Sequence, residues 1–165
     1  MSKPIKNGEI LPDDGQVISR SDKDTLAHAA RLAKVFPQAL ILLQGPFGAG
    51  KTTWTRGFAA GLGIDDNVSS PTYTILNVYR RGDRTLYHLD LYRLGCLEEV
   101  YDVGLFEILD AGFPCVVEWS ERVPELAGWP HLEVILAPSK CPSGSDDDTN
   151  CRSIKWTLRK GGACP

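Results

Sequence analysis

The chain has 165 residues, 42% of them hydrophobic and 24% charged, and its 18 Lys and Arg against 21 Asp and Glu leave a formal charge of −3. This composition is typical of a globular protein, and the length suits one domain with its own hydrophobic core. The mild acidity excludes a large electrostatic surface for nucleic acid, which needs clustered Lys and Arg, so we expect no direct DNA binding.

The sequence also argues against a membrane or secreted protein. The apolar stretch around position 40, Ala39–Leu43, is far shorter than the roughly 20 residues of a membrane helix. The N-terminus has no apolar signal region, and the five cysteines form no C-x-x-C pair. We therefore expect a cytoplasmic protein with reduced thiols. The alternative is a disulfide between Cys141 and Cys151, which bracket a polar run and could meet across a hairpin.

The chain begins with a segment that has no periodic apolar pattern. Residues 1–15 contain two prolines and two glycines, which predicts a flexible tail, with the domain over residues 16–165 and a short strand at Gln16–Ser19. Ser21 and Asp24 form a capping pattern at the start of an amphipathic helix, which Pro37 ends.

A glycine-rich segment connects the next strand and helix. The short apolar run Ala39–Gln44 favours a strand buried on both faces of a parallel sheet. GPFGAGKTT follows at residues 45–53, and a helix is predicted over 54–62 with Gly63 as its left-handed cap.

The second half of the chain predicts further strands and two short helices. Residues 75–79 and 85–91 indicate a β-hairpin with its turn at 80–84, and Gly104 divides a helical pattern over 97–109. A strand is predicted over 114–119, and closing strands over 132–136 and 153–158 flank an exposed loop at 138–152.

Residues 45–52 match G-x-x-x-x-G-K-[ST], the phosphate-binding loop, between a strand and a helix as that motif requires. Glycines allow successive N–H groups to turn inward as an anion-binding nest. Lys51 can reach the β- and γ-phosphates, and the Thr52 hydroxyl can ligate Mg²⁺. Thr53 either lies near the α-phosphate or only begins the helix. The loop residues predicted to bind nucleotide are Gly45, Gly48, Ala49, Gly50, Lys51, Thr52 and Thr53.

Two carboxylates on predicted strands are candidates for the acidic groups that such a site needs. Asp90 shares a strand face with His88, and Glu118 ends an apolar strand in the manner of a Walker B element. The structural alternatives are that Asp90 only pairs with Arg93, and that Glu118 is a satisfied acid at a strand end. His88 is predicted to be a structural partner of Asp90.

Four ordered motifs resemble one known family. GPFGAGKTT, SSPTYTI (69–75), YHLDLYRL (87–94) and VEWSERVPE (117–125) are similar to the tRNA threonylcarbamoyladenosine biosynthesis ATPase family called TsaE, or YjeE, over about residues 19–125. The resemblance implies an α/β P-loop NTPase fold in a single domain, with a mostly parallel sheet, flanking helices and an inserted antiparallel hairpin.

The resemblance also implies a function. The family has weak intrinsic ATPase activity and works with TsaD and TsaB subunits, which attach a threonylcarbamoyl group to the adenosine next to the anticodon. The ATP cycle of TsaE is thought to reset that complex, so tRNA would be reached only indirectly.

Residue roles follow from the same resemblance. Thr52 and Glu118 would ligate Mg²⁺, and Asp90 would assist the metal or position water. Thr72, in a switch-like segment with Pro71 and Tyr73, would sense the γ-phosphate. On the same resemblance, the catalytic candidates are Lys51, Asp90 and Glu118. Trp119 would support the site or a partner surface, and the adenine would lie near Ser21 and Asp22.

The chain departs from the family at two places. Pro46-Phe47 stands where members commonly carry Asp-Leu, which leaves the glycines and the lysine intact. The segment after Pro138 matches no family pattern.

Other functions fit parts of the same pattern. A small-molecule kinase would use the same loop and acids, but the arginines that its lid needs lie instead on the predicted hairpin turn, at Arg80, Arg81 and Arg84. A nucleotide-gated binding module is the non-enzymatic alternative. A GTPase is disfavoured because none of the four asparagines belongs to an N-K-x-D stretch.

Overall fold

Helices pack on both faces of one mixed β-sheet. The computed structural model describes residues 11–64, 67–141 and 151–162. Seven strands in those ranges form the sheet in the order β1-β7-β6-β2-β5-β4-β3. Their bounds are β1 Asp14–Ser19, β2 Leu40–Gln44, β3 Leu76–Arg81, β4 Arg84–Asp90, β5 Cys115–Glu118, β6 His131–Pro138 and β7 Arg152–Arg159. The helices are α1 Asp22–Val35, α2 Lys51–Gly61, α3 Leu97–Asp102 and α4 Leu105–Asp110.

The parallel part of the sheet is its centre. Strand β2 pairs parallel with β5 and β6, and β4 pairs parallel with β5. The outer pairings are antiparallel, β3 with β4 on one side and β7 with β6 and β1 on the other. The predicted α/β fold with an inserted hairpin is confirmed, and antiparallel strands extend the sheet on both sides.

Strand β2 explains why the core has two layers. Side chains alternate along a strand, so Ile41 and Leu43 enter one core cluster with α1 and α2, while Leu40 and Leu42 enter another with α3 and α4. A strand buried on both faces is apolar throughout, as the sequence pattern predicts.

Local signals place the helices as predicted. Ser21 is the N-cap of α1, and its hydroxyl accepts a bond from the Asp24 amide at 3.1 Å. Gly63 has a φ of 77° after α2, and Gly104 has a φ of 83° between α3 and α4.

The domain begins earlier than the sequence predicts. Strand β1 begins at Asp14 rather than Gln16, and Leu11 is buried in the core. The Pro12 carbonyl accepts a bond from the Trp156 ring nitrogen at 3.0 Å. The described part of the predicted tail is therefore held by β7, a contact that local periodicity does not encode. Residues 1–10 lie outside the described ranges.

The closing hairpin changes the prediction for the cysteines. Cys141 and Cys151 form a disulfide with their Cα atoms 5.4 Å apart, whereas Cys96 and Cys115 are free. Pairing of Pro138 with Arg152 brings the two ends of the loop together. The prediction of reduced thiols is wrong for this pair, and the alternative of a disulfide across a hairpin is the one that the structure shows, because the β6–β7 register brings the two cysteines together. Most of the predicted loop at 138–152, residues 142–150, lies outside the described ranges.

No helix within the described ranges is long and apolar enough to span a membrane.

Candidate active site

The parallel strands bring the predicted site residues to one edge of the sheet. Strands β2, β4 and β5 end at Gln44, Asp90 and Glu118, and they run in the same direction. This is the edge where open α/β sheets bind ligands. A cavity of about 490 Å³ lies there, lined by Asp22, Phe47, Gly48, Ala49, Gly50, Lys51, Thr52, Thr53, Ser70, Thr72, Asp90, Glu118, Trp119 and Arg152.

The glycine-rich loop has the backbone geometry of an anion nest. Its backbone has positive φ values at Gly45, Gly48 and Gly50, of 145°, 76° and 92°, which residues with a Cβ rarely adopt. A Cβ on Gly45 would overlap the Leu136 carbonyl oxygen, so the loop also passes close to β6. Gly50 is the N-cap of α2, and the loop therefore ends at the positive end of a helix.

Lys51 is nearly buried and is held by the loop itself. Its Nζ donates to the carbonyls of Gly45 at 2.7 Å and Pro46 at 3.1 Å, and it lies 3.8 Å from the centre of the Trp119 ring. Burial lowers the pKa of Lys51, and the carboxylates of Glu118, Glu121 and Asp90 oppose that shift. Its carbonyl partners can be exchanged for phosphate oxygens.

Glu118 lies against the start of α2. Its Oε1 accepts a bond from the Thr52 hydroxyl at 3.1 Å, and the side chain is 3% exposed. Asp90 lies beside Glu118 in the β4–β5 register and is 2% exposed. Two buried carboxylates therefore stand next to the loop, as the strand-end positions predict.

The partner predicted for His88 is wrong. His88 Nε2 lies 2.8 Å from Glu118 Oε1, and the bonds of Asp90 go elsewhere. In the parallel register His88 lies opposite Val116 and Asp90 lies opposite Glu118, so Glu118 is diagonal to His88 across the two strands. The contact therefore depends on the pairing of β4 with β5, which sequence spacing cannot identify.

Asp90 is held by the segment before β3. Its Oδ2 accepts bonds from Thr72 at 2.6 Å and Ser70 at 3.5 Å, and its Oδ1 accepts the Tyr92 amide at 2.8 Å. Tyr73, next to Thr72, is 88% exposed. The predicted switch-like segment thus contacts the site through Thr72.

Two strained residues border the site. Ile75 and Trp119 are the non-glycine residues with positive φ in the described part of the chain, at 66° and 59°. Ile75 accepts the Asp90 amide through its carbonyl at 3.0 Å, and Trp119 directly follows Glu118. Such strain is costly for a β-branched residue, and it concentrates at functional sites.

The structure separates the two residues predicted near the adenine. Asp22 lines the cavity, whereas the Ser21 hydroxyl caps α1 and is absent from the cavity wall. Sequence reasoning missed Arg152, whose side chain is 14% exposed and whose Nη1 lies 3.2 Å from Asp22 Oδ1. No motif contains Arg152, so only the pairing of β7 with β1 and β6 reveals it.

The site offers a small set of oxygen ligands for a metal ion. Two of these oxygen ligands, 3.1 Å apart, are the Thr52 hydroxyl and a carboxylate oxygen of Glu118. Among the described residues, no group of three or more His, Cys, Asp or Glu could hold a metal ion alone. Mg²⁺ is usually bound by one or two protein oxygens together with phosphates and water. The residues therefore fit Mg²⁺ that arrives with a phosphate compound.

The arginines predicted on a hairpin turn at 80–84 belong instead to its strands, because β3 ends at Arg81 and β4 begins at Arg84, and they lie away from this site. Strand β4 begins at Arg84 and runs toward the loop edge, so the turn is at the opposite edge of the sheet. Arg84 there donates to the Leu62 carbonyl at 2.9 Å. No lid over the phosphate loop can be formed from that turn as it stands.

Comparisons with known proteins agree with the motifs. The family model "Threonylcarbamoyl adenosine biosynthesis protein TsaE" matches residues 19–142, which include the loop and both strand-end acids. The tRNA threonylcarbamoyladenosine biosynthesis protein TsaE of Bacillus subtilis is 41% identical over 134 residues, covering 81% of this chain and 78% of the relative. Its counterpart from Treponema pallidum is 43% identical over 107 residues, covering 64% and 78%.

A solved structure has the same fold. The crystal structure of YdiB from Bacillus subtilis superposes with a TM-score of 0.66 at 30% sequence identity, covering 88% of this chain and 85% of that one.

Proposed function

The chain belongs to the TsaE family, and from that membership we propose that it binds ATP with Mg²⁺ and hydrolyses it slowly in tRNA threonylcarbamoyladenosine biosynthesis. In this proposal it is an accessory subunit that acts with TsaD- and TsaB-type subunits on the adenosine next to the anticodon. The observation that carries the proposal is the nest of Gly48 and Gly50 facing a Thr52–Glu118 contact.

Each part of the site has a role with ATP. The loop amides and Lys51 bind the phosphates, with Lys51 leaving its contacts to the Gly45 and Pro46 carbonyls. Thr52 and Glu118 would hold Mg²⁺, which neutralises charge on the phosphates when bound. Asp90, beside Glu118, positions the attacking water or supports the metal.

The small number of cations in the cavity supports the proposal that the isolated chain hydrolyses ATP slowly. Among the described residues that line it, the cations are Lys51 and Arg152, and Arg152 is paired with Asp22. A further arginine supplied by a partner raises the rate of many P-loop enzymes by several orders of magnitude. Phe47 lines the cavity, and Tyr73 directly follows Thr72 of its wall. Both side chains are exposed, at 89% and 88%, where a partner could cover them.

The charge of the chain supports indirect contact with tRNA. A formal charge of −3 offers little attraction for phosphate backbones. In the proposed complex the partner subunits hold the tRNA, and this chain supplies the ATP cycle. The small-molecule kinase is the weaker alternative, because the arginines that flank the β3–β4 turn lie at the opposite edge of the sheet.

An ATPase assay with and without TsaB and TsaD subunits from the same source tests the proposal. We expect slow phosphate release by the chain alone and a marked increase with the partners. Fast phosphate transfer to an added metabolite without partners would instead identify a kinase.

Two variants connect that activity to the site. Lys51→Ala should abolish hydrolysis mainly by weakening ATP binding, and Glu118→Gln should lower the rate by at least about 100-fold with smaller effects on binding. Glu107→Gln makes the same change at an exposed carboxylate of α4 and should behave as wild type. Normal turnover by Lys51→Ala would refute the assignment of the loop.

A further inference from the structure

We propose that His88 is a positioning residue that holds Glu118 in the orientation in which it binds Mg²⁺, and that Tyr79 holds the His88 ring. This inference rests on the proposed function, since it presumes that Mg²⁺ arrives with a nucleotide at the glycine-rich loop. The contact that carries it joins His88 Nε2 to Glu118 Oε1 over 2.8 Å, and the two side chains are 0% and 3% exposed. Water has little access to a bond buried this deeply, so the ring restricts how the carboxyl group can turn.

Both donors to Glu118 use the same carboxylate oxygen. Oε1 accepts from the Thr52 hydroxyl at 3.1 Å as well as from His88. An ionised carboxylate only accepts hydrogen bonds, so His88 Nε2 carries the hydrogen in this contact. Oε2 takes part in neither bond, and a metal ion could bind it without breaking either of them. Such outer partners orient ligating carboxylates in many metal sites.

The second strand-end acid is held by other groups. Asp90 accepts from Thr72 at Oδ2 and from the Tyr92 amide at Oδ1, so both of its oxygens are engaged. His88 therefore acts on Glu118, although it shares β4 with Asp90. A change at His88 should alter metal binding through Glu118 without removing the bonds of Asp90.

Tyr79 lies on the far side of the His88 ring. Its hydroxyl is 3.5 Å from His88 Nδ1 and 2.8 Å from the Ser69 carbonyl oxygen, and its side chain is buried. Tyr79 is on β3, His88 on β4 and Glu118 on β5, so the contacts cross three neighbouring strands. The inserted hairpin thereby supports a carboxylate of the parallel centre, with the ring contacted at both nitrogens.

Two substitutions separate the nitrogen that contacts Glu118 from the rest of the ring. The side-chain amide of glutamine can place a donor near the position of Nε2, whereas that of asparagine reaches only the position of Nδ1. Mn²⁺, read by electron paramagnetic resonance, reports the metal affinity of the chain with a non-hydrolysable ATP analogue bound. We expect His88→Asn to weaken Mn²⁺ binding by about 10- to 100-fold and His88→Gln by no more than about threefold.

Binding of the analogue with EDTA in place of the metal supplies the second measurement. By calorimetry it should stay within about twofold of wild type for both variants, because the loop amides and Lys51 bind phosphates without the metal. His131→Asn is the matched control, since His131 is also buried but lies at the start of β6, at the opposite edge of the sheet, where its Nδ1 contacts the Trp129 carbonyl at 2.7 Å. It should bind Mn²⁺ and the analogue as wild type does.

Three results would overturn the positioning role alone. They are an unchanged Mn²⁺ affinity in His88→Asn, equal losses of Mn²⁺ affinity in His88→Asn and His88→Gln, and a loss of analogue binding in EDTA as large as the loss of Mn²⁺ binding. A wild-type chain that bound no analogue would overturn the proposed function as well.

Tyr79→Phe tests the support for the ring without changing a group that contacts Glu118, and it decides the proposal if the His88 variants do not fold. The change keeps the aromatic ring and removes the hydroxyl. We expect Mn²⁺ affinity to fall about threefold, the scale of one lost neutral hydrogen bond, with analogue binding in EDTA unchanged. Unchanged Mn²⁺ affinity in Tyr79→Phe would overturn the proposal as stated.

Discussion

The polar side chains of the site are already satisfied by one another. Lys51 bonds loop carbonyls, Thr52 bonds Glu118, and Thr72 bonds Asp90. Buried charges require such partners, because an unpaired one is strongly destabilising. In the proposed function, nucleotide binding would therefore exchange hydrogen bonds rather than create them, and the Thr72–Asp90 bond links the site to the exposed segment that contains Tyr73.

The Thr72→Val substitution tests the Thr72–Asp90 hydrogen bond by removing a single hydroxyl. The change leaves Asp90 Oδ2 with the longer bond from Ser70, at 3.5 Å. Because a bond to a charged group contributes about 1.5–3 kcal/mol, we expect hydrolysis to fall by roughly tenfold or more while ATP affinity changes little. Single-turnover phosphate release and calorimetry measure the two effects.

Thr72→Ser keeps the hydroxyl and is the control for that substitution. It should retain most of the rate of the wild-type chain. Equal rates for Thr72→Val and wild type would show that the hydroxyl does not contribute.

At the scale of elements, the contact between α1 and α2 positions the start of the phosphate loop helix. Gly57 and Gly61 of α2 lie against the backbone of α1, and a Cβ on Gly57 would overlap the Leu26 carbonyl oxygen. Glycine is a poor helix former, so its presence here is explained by close approach rather than by helix propensity.

Gly57→Ala should therefore destabilise the protein although alanine favours helices. Overpacking costs about 1–3 kcal/mol and the gain in propensity is at most about 1 kcal/mol, so we expect a net loss of roughly 1–2 kcal/mol. The urea midpoint for unfolding measures it. At Gly95 an added Cβ meets nothing within 4 Å, and Gly95→Ala should change stability little. A more stable Gly57→Ala variant would contradict the close packing.

At the scale of the whole molecule, His28 makes folding depend on pH. It is buried, neither ring nitrogen has a hydrogen-bond partner, and its ring lies 4.8 Å from that of Trp156. Burial, aided by the nearby charge of Arg31, lowers the pKa of His28 from 6.5 to about 4. Between these values the unfolded chain binds a proton that the folded chain does not, so stability falls as the pH falls.

The free energy of unfolding should therefore decrease by about 2 kcal/mol from pH 7 to pH 5 on account of His28. His28→Phe keeps a ring against Trp156 and removes the titration. Urea unfolding of both proteins at the two pH values should show a smaller decrease for the variant. Parallel pH profiles would mean that His28 is accommodated when protonated.

Much of the site could be predicted because its signals are local. The loop at 45–52 joins a strand to a helix within one short segment, and Asp90 and Glu118 end apolar strands. Phosphate binding imposes glycines and a lysine at set spacing, which a sequence displays directly. The helix caps at Ser21 and Gly63 are local for the same reason.

The sequence by itself determined the α/β class, the order of the elements, the loop and its two acids. Only the tertiary structure decided that His88 bonds Glu118, that Cys141 joins Cys151 and that Arg152 lies over Gly50. The physical reason is that helix caps, motif spacing and hydrophobic periodicity involve residues close together in the sequence. The three contacts named here join distant segments and depend on strand order and register. Those arise from burying both faces of the sheet at once, which no single segment encodes.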